Sequence, residues 1–257
     1  MMKRLAIAVF ALFFAVFAGS ALAQEAGVTS APSDKDLALY NTGINPADTD
    51  TDAGAEFFNQ TQGEKKTSCA ACHGGAKPQK DLKGAAVTFP KWSGSAKKVV
   101  AIEDQINMCL GMMGAEKLEN KSAVMVGTSL YVRSLSSGMK INVKTDGQAK
   151  ETFDFGRKVF ATRRGARNLA CATCHEDLVG STLRMQPLKK IGGAAAHWPA
   201  YRMVSGQTTS LQQRFVQCMS NARLKPFPLG DYRMTALELY VTSLANGNPL
   251  ETPGWVR

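Results

Sequence analysis

Cys69-Ala70-Ala71-Cys72-His73 and Cys171-Ala172-Thr173-Cys174-His175 are the stretches that decide how this chain folds. Each Cys-x-x-Cys-His reads as a c-type haem attachment site. Two thiols can add across the vinyl groups of a haem, and the adjoining histidine is placed to bind the iron from one side. A lone Cys-x-x-Cys could equally be half a zinc site or a redox dithiol. Two copies, each with its histidine, on a chain with an export signal point to two covalent haems.

Around these motifs the chain repeats itself. Gly54 and Phe58 precede Cys69 by 15 and 11 residues, and Gly156 and Phe160 precede Cys171 by the same intervals. Four of the six cysteines serve the haems, which leaves Cys109 and Cys218. Each is followed 22 residues later by the tyrosine of Leu-Tyr-Val-x-Ser-Leu-x-x-Gly, at residues 130–138 and 239–247. The pattern predicts a mostly α protein of two tandem class I cytochrome c-like domains, each built around one haem. Residues 53–138 form the first domain and 151–257 the second, which carries the active site; a polar linker covers 139–150. Residues 24–52, rich in Ala, Thr, Asp and Pro, read as an extended arm or packing extension. In the closing helix Met234, Leu237, Val241 and Leu244 recur at helical spacing, with Asn246-Gly247 as the stop. Tyr131, Leu135, Tyr240 and Leu244 read as packing residues of the two closing helices.

The N-terminus has the pattern of a secretory signal peptide, 1–23: Lys3 and Arg4, an apolar run, and Ala21-Leu22-Ala23 before Gln24. The run is shorter than the ~20 residues of a spanning helix, and no cysteine follows for lipid attachment. The mature protein is expected to be soluble and periplasmic, with no membrane span. The formal charge of +10 falls to +8 without the signal peptide, an excess that favours anionic substrates or acidic partner surfaces. No Lys/Arg-rich block argues for nucleic acid.

The second axial ligand largely sets what a haem does. With His73 and His175 in the proximal positions, His197 is the one histidine left, so two bis-histidine haems are impossible from this chain. A disulfide is the default use of two leftover cysteines in an oxidising compartment. It would have to join matching points of two domains, and one thiolate beside each haem, Cys109 and Cys218, is the simpler account. Met108, Met112 and Met219 flank these cysteines but do not match between the repeats, and they read as haem-edge packing. Ser210 and Gln213 form a capping box, after which Leu211, Phe215 and Cys218 share a helix face. Arg214 lies one turn before Cys218, able to hold an oxyanion by bidentate contact; Gln105 has that offset from Cys109. This difference predicts electron transfer for unit one and chemistry for unit two. Arg223 and Lys225 add to the positive field. His197 reads as a pocket or structural histidine.

Taken together, the two Cys-x-x-Cys-His sites, the two downstream cysteines, Trp198-Pro199-x-Tyr201-Arg202 and Arg214-Phe215-x-x-Cys218 resemble the SoxA family. This is the di-haem A subunit of the Sox thiosulfate-oxidising cytochromes. The resemblance implies His/Cys ligation of both haems, with Cys218 as the active-site sulfur, found as a persulfide, and Arg214 as its cation. It also implies a SoxX-like cytochrome c partner in a heterodimer. The implied reaction couples thiosulfate to a cysteine of a SoxYZ-type carrier, releasing two electrons. Three other readings compete: a thiosulfate dehydrogenase making tetrathionate, a plain di-haem electron carrier with a methionine ligand, and, more remotely, a di-haem peroxidase with an open iron position.

Overall fold

The segment ahead of the first unit is more regular than its composition suggests. This computed structural model describes residues 34–74, 80–183 and 186–256; the signal peptide lies outside them. A short helix α1 (Asp34–Thr42) is followed by α2 (Ala47–Asn59), so the expected extension is partly helix. The run Ala47-Asp48-Thr49-Asp50 looks like surface loop, yet acids in a first helical turn are favoured by the N-terminal dipole. Then come α3 (Cys69–His73), an antiparallel hairpin β1 (Lys91–Ser93) and β2 (Lys98–Val100), α4 (Ile102–Met112) and α5 (Ala123–Ser134). The second unit opens with α6 (Lys150–Ala161) and, after its Cys-x-x-Cys-His, inserts a small hairpin, β3 (Thr182–Leu183) and β4 (Gln186–Pro187). Hairpin β5 (Ala200–Arg202) and β6 (Gln207–Thr209) leads to α7 (Leu211–Asn221) and α8 (Tyr232–Ser243). The final strand β7 (Gly254–Val256) pairs parallel to β5, with Ala200 opposite Gly254.

The repeated glycines explain how each unit closes. α2 crosses α5, and α6 crosses α8. A methyl group on Gly54 would collide with the carbonyl of Gly127, and one on Gly156 with the carbonyl of Ala236. Only a missing side chain lets the backbones approach so closely. Next to these crossings Tyr131 packs on Phe58 (5.0 Å) and Tyr240 on Phe160 (5.2 Å), as expected. Leu135 and Leu244 do not pack in the same way. α5 stops at Ser134 and α8 at Ser243, so both leucines are cap residues, 37% and 38% exposed.

Residues 139–150 are not a detached linker. Ile141 and Val143 are buried, and residues 138–143 bond to 246–250 through Ile141 N to Asn248 O and Gly247 N to Ile141 O. Alternation along an extended chain turns these two inward and Asn142 and Lys144 outward, which a count of polar residues conceals. The units also share one continuous core: Phe89, Leu110 and Met125 belong to the same buried cluster as Phe160, Met234 and Leu237. At the far end Tyr40 meets Trp255 edge-on at 5.1 Å and the Asn45 side-chain amide donates to Pro253 O, so α1 is held against the C-terminus.

A buried polar cluster crosses the join. Glu103 and Gln212 hold matching second positions of α4 and α7, while Ser129 and Glu238 lie at matching positions of α5 and α8. Ser129 donates to Glu103 (2.8 Å), and Gln212 donates to Glu238 (2.8 Å). The carboxylate has exchanged helices between the units. Arg133 of α5 reaches across to 3.6 Å from Glu238. Burial, then the charge of Glu103, pushes Glu238 up to about 8 against the pull of Arg133 and the Gln212 bond. At neutral pH it keeps its proton, and Glu103 and Arg133 balance in charge.

Candidate haem and sulfur site

In unit one, Ser68 Oγ accepts the Ala71 N–H and starts the single turn that presents Cys69, Cys72 and His73. His73 Nδ1 lies 2.8 Å from the Lys80 carbonyl. A carbonyl only accepts, so Nδ1 carries the proton and Nε2 keeps the lone pair. In unit two Ala170 stands where Ser68 was, and Thr173 Oγ1 accepts its N–H instead. The motif there runs into a π-helical turn, Thr173–Asp177, and His175 Nδ1 faces the Lys189 carbonyl at 3.3 Å. Both histidines therefore hold the tautomer that metal ligation through Nε2 needs.

The leftover cysteines come back to these motifs. Burial raises the Cys69 thiol, and the sulfur of Cys109 adds to the rise. Burial pushes Cys171 up to about 11 with Cys218 contributing next, and the same two causes raise Cys174. Each leftover sulfur thus faces the Cys-x-x-Cys of its own unit. All six cysteines are unpaired, so no disulfide joins Cys109 to Cys218. Two thiols for thioether bonds, one imidazole nitrogen and one further sulfur per unit fit a c-type haem. Among the described residues no group of three or more His, Cys, Asp or Glu gathers for a bare metal ion.

Helices α4 and α7 differ where the sequence suggests they should. In unit one Gln105 Nε2 donates to Cys109 Sγ at 3.5 Å. In unit two, the capping box forms in both directions: Ser210 Oγ accepts the Gln213 N–H (3.2 Å) and Gln213 Oε1 accepts the Ser210 N–H (2.7 Å). It fixes the first turn of α7, and Arg214 and Cys218 follow on that helix. Arg214 is half-buried, and among the described residues no hydrogen bond or ion pair engages it. Burial lowers His175, the Lys189 bond opposes this, and Arg214 adds to the fall.

A further cation enters from β5. Arg202 is 7% exposed. Burial pushes its pKa down to about 10, Arg214 pushes the same way, and Cys218 opposes both. Arg202, Arg214 and Cys218 therefore lie within electrostatic reach of one another near the second Cys-x-x-Cys-His. In the sequence the sign of Arg202 is a charge at the end of Trp198-Pro199-x-Tyr201-Arg202, flanked by Tyr201 and Met203, both buried here.

Other expectations separate. Met219 is buried and Met108 packs against the core cluster, whereas Met112, at the end of α4, is 63% exposed. His197 Nδ1 lies 3.0 Å from Glu251, a structural role tying the C-terminal segment. Arg223 and Lys225 lie in the turn after α7, where the Lys225 carbonyl accepts a bond from Arg164.

Comparison with known proteins agrees with this arrangement. The family described as SoxA/TsdA, cytochrome c domain, matches residues 53–141 and 155–250. The chain is 32% identical over 238 residues to the L-cysteine S-thiosulfotransferase subunit SoxA of Hydrogenobacter thermophilus, covering 91% of each. It is 34% identical to the protein of the same name from Paracoccus pantotrophus, covering 80% of this chain and 70% of that one. The crystal structure of SoxXA from P. pantotrophus superposes with a TM-score of 0.78 at 32% identity, covering 88% of this chain and 84% of that one. With two covalent-haem motifs on a duplicated cytochrome c scaffold and similarity along nearly its whole length, the chain belongs to the SoxA family.

Proposed function

We propose that this protein oxidatively couples thiosulfate to a cysteine of a SoxYZ-type sulfur carrier, as the periplasmic di-haem subunit of a heterodimer with a SoxX-like cytochrome c. The observation that carries this reading is Arg214, one turn before Cys218 on α7, with no hydrogen bond or ion pair among the described residues and Arg202 within electrostatic reach of both. A half-buried cation without a counter-ion is costly to keep unless an anion visits it. The relatives' name, L-cysteine S-thiosulfotransferase, supports the reaction class.

Cys69 and Cys72 would attach one haem, with His73 and Cys109 as its axial ligands. Cys171 and Cys174 would attach the other, with His175 and Cys218. Each haem, when bound, supplies a one-electron acceptor beside a sulfur. The chain's own residues do the rest. Arg214, one helical turn from Cys218, pairs with the sulfonate end of thiosulfate, and Arg202 adds positive charge nearby; bidentate contact to an oxyanion orients it as well as binding it. Cys218 is the catalytic sulfur, with a persulfide as its active form.

The balance is simple. One S–S bond forms between the carrier thiol sulfur and the outer sulfur of thiosulfate. The thiol proton goes to water, and two electrons leave for the partner cytochrome.

The test is thiosulfate oxidation by the purified haem protein with its partner subunit and an electron acceptor, with and without a carrier thiol, and products identified by mass spectrometry. A thiosulfonate adduct that requires the thiol is the expected result. Tetrathionate formed regardless of thiol would move the protein to the dehydrogenase class, and no consumption of thiosulfate would leave an electron carrier.

A further inference from the structure

Both units place a hydrogen-bond-capable residue one turn before the leftover cysteine, but the two side chains are committed differently. Gln105 spends its amide on the sulfur of Cys109, at 3.5 Å and partly buried. Arg214, at the same offset, makes no hydrogen bond among the described residues. An amide nitrogen only donates, so Gln105 presents Nε2–H to the sulfur. Residues four apart on a helix lie on one face, so the contact follows from the α4 backbone once Ala101 and Asp104 have started the helix.

We infer that Gln105 is a positioning residue of the first centre: its amide N–H orients the Cys109 thiolate and withdraws charge from it, raising the reduction potential of that centre. This rests on Cys109 being an axial ligand, as proposed above. A donor hydrogen bond to a ligating sulfur weakens its donation to ferric iron and so favours the reduced form. The neutral amide does this without adding a charge that would attract the anionic substrate. Arg214 keeps its charge for thiosulfate and gives the Cys218 sulfur no hydrogen bond. The Gln/Arg exchange then does two things at once. It places substrate in unit two, and it biases electrons towards unit one.

The experiment uses the full di-haem protein with Gln105→Leu, Gln105→Glu and Cys109→Ala. Haem content is checked by pyridine haemochrome, and each ferric low-spin centre is followed by EPR during a redox titration. Leu keeps the size and removes the donor; Glu keeps the shape and puts an acceptor against the sulfur. The expected result is a shift of one centre to lower potential in Gln105→Leu and further in Gln105→Glu, with changed g-values for that centre and none for the other. Cys109→Ala should abolish the thiolate signature of the same centre. If Cys109→Ala alters a centre while both Gln105 variants leave its potential and g-values unmoved, the role of Gln105 is overturned. If Cys109→Ala leaves both centres as they were, the ligation itself is wrong and the inference falls with it.

Discussion

The two units repeat one scaffold and differ in the charges they carry. Gly54 and Gly156 allow the same helix crossing, Phe58 and Phe160 meet the same tyrosine, and Cys109 and Cys218 face the same kind of motif. The differences concentrate on charge. Opposite Gln62, Glu64, Gly114, Glu116 and Leu118, which line an open groove in unit one, unit two places Arg164, Ala166, Arg223, Lys225 and Phe227. Arg164 and Arg233 stack on Phe227, with guanidinium carbons 4.1 and 4.3 Å from the ring centroid. Gln105 becomes Arg214 in the same exchange. Duplication has kept the packing that holds a haem and altered the field around its sulfur.

The largest expected effect breaks the equivalence of the two sulfurs. Cys218→Ala should reduce thiosulfate coupling to background while Cys171 and Cys174 still attach haem. Cys109→Ala should leave coupling measurable and slow only the exit of electrons. Product analysis by mass spectrometry on both variants decides it; equal losses would show that the units are not functionally distinct.

Next comes the join between the units. Arg133→Leu leaves Glu103 buried without the cation that balances it, and an uncompensated buried charge costs about 3–5 kcal/mol. The matching residue in unit two is Thr242, which faces no such charge, and Thr242→Ala should cost only about 1 kcal/mol. Urea unfolding of the haem-loaded variants measures both. Similar losses would mean that Arg133 serves packing rather than charge.

A smaller change makes unit two resemble unit one. Arg214→Gln removes a charge-assisted contact of about 1.5–3 kcal/mol, so kcat/KM for thiosulfate should fall about tenfold to about a hundredfold, chiefly through KM. Saturation kinetics at fixed carrier concentration check this, and an unchanged dependence on thiosulfate would reject the anion site.

Much of this comparison was legible in the sequence because it is carried by spacing. Motif-to-cysteine intervals place the sulfurs, the Ser210–Gln213 capping box is a local signal, and Gly54 and Gly156 recur in step. What was missed depends on contacts between segments far apart in the chain. Arg202 comes within electrostatic reach of Cys218 only through the fold, and Ile141 and Val143 are buried where residues 246–250 pair with their segment. Glu238 did leave a trace, as an acid between Leu237 and Leu239 in a run that is otherwise apolar. Its partners lie on three other helices, so nothing local could say what satisfied it.

The last difference, the exchanged carboxylate, makes stability depend on pH in a direction opposite to that of a salt-bridged acid. Unfolded, Glu238 has the ordinary value of 4.5; folded, it is raised to about 8. Between those values the folded protein holds a proton that the unfolded chain has lost. Stability therefore falls as pH rises from about 4.5 to about 8, by at most about 1.4 kcal/mol per pH unit for one proton. Asp104, also raised by burial, acts with the same sign. Glu238→Gln substitutes a neutral side chain that can still accept from Gln212, and it leaves Glu103 to balance Arg133. The variant should match the wild type near pH 5, exceed it at pH 8, and unfold with a flatter pH profile. Glu103→Gln should act differently, because it removes a charge that raises Glu238 and leaves Arg133 facing Glu238. The falling limb should then move to lower pH rather than vanish. Urea titrations at several pH values separate the two, and an unchanged slope in Glu238→Gln would place the proton elsewhere in the cluster.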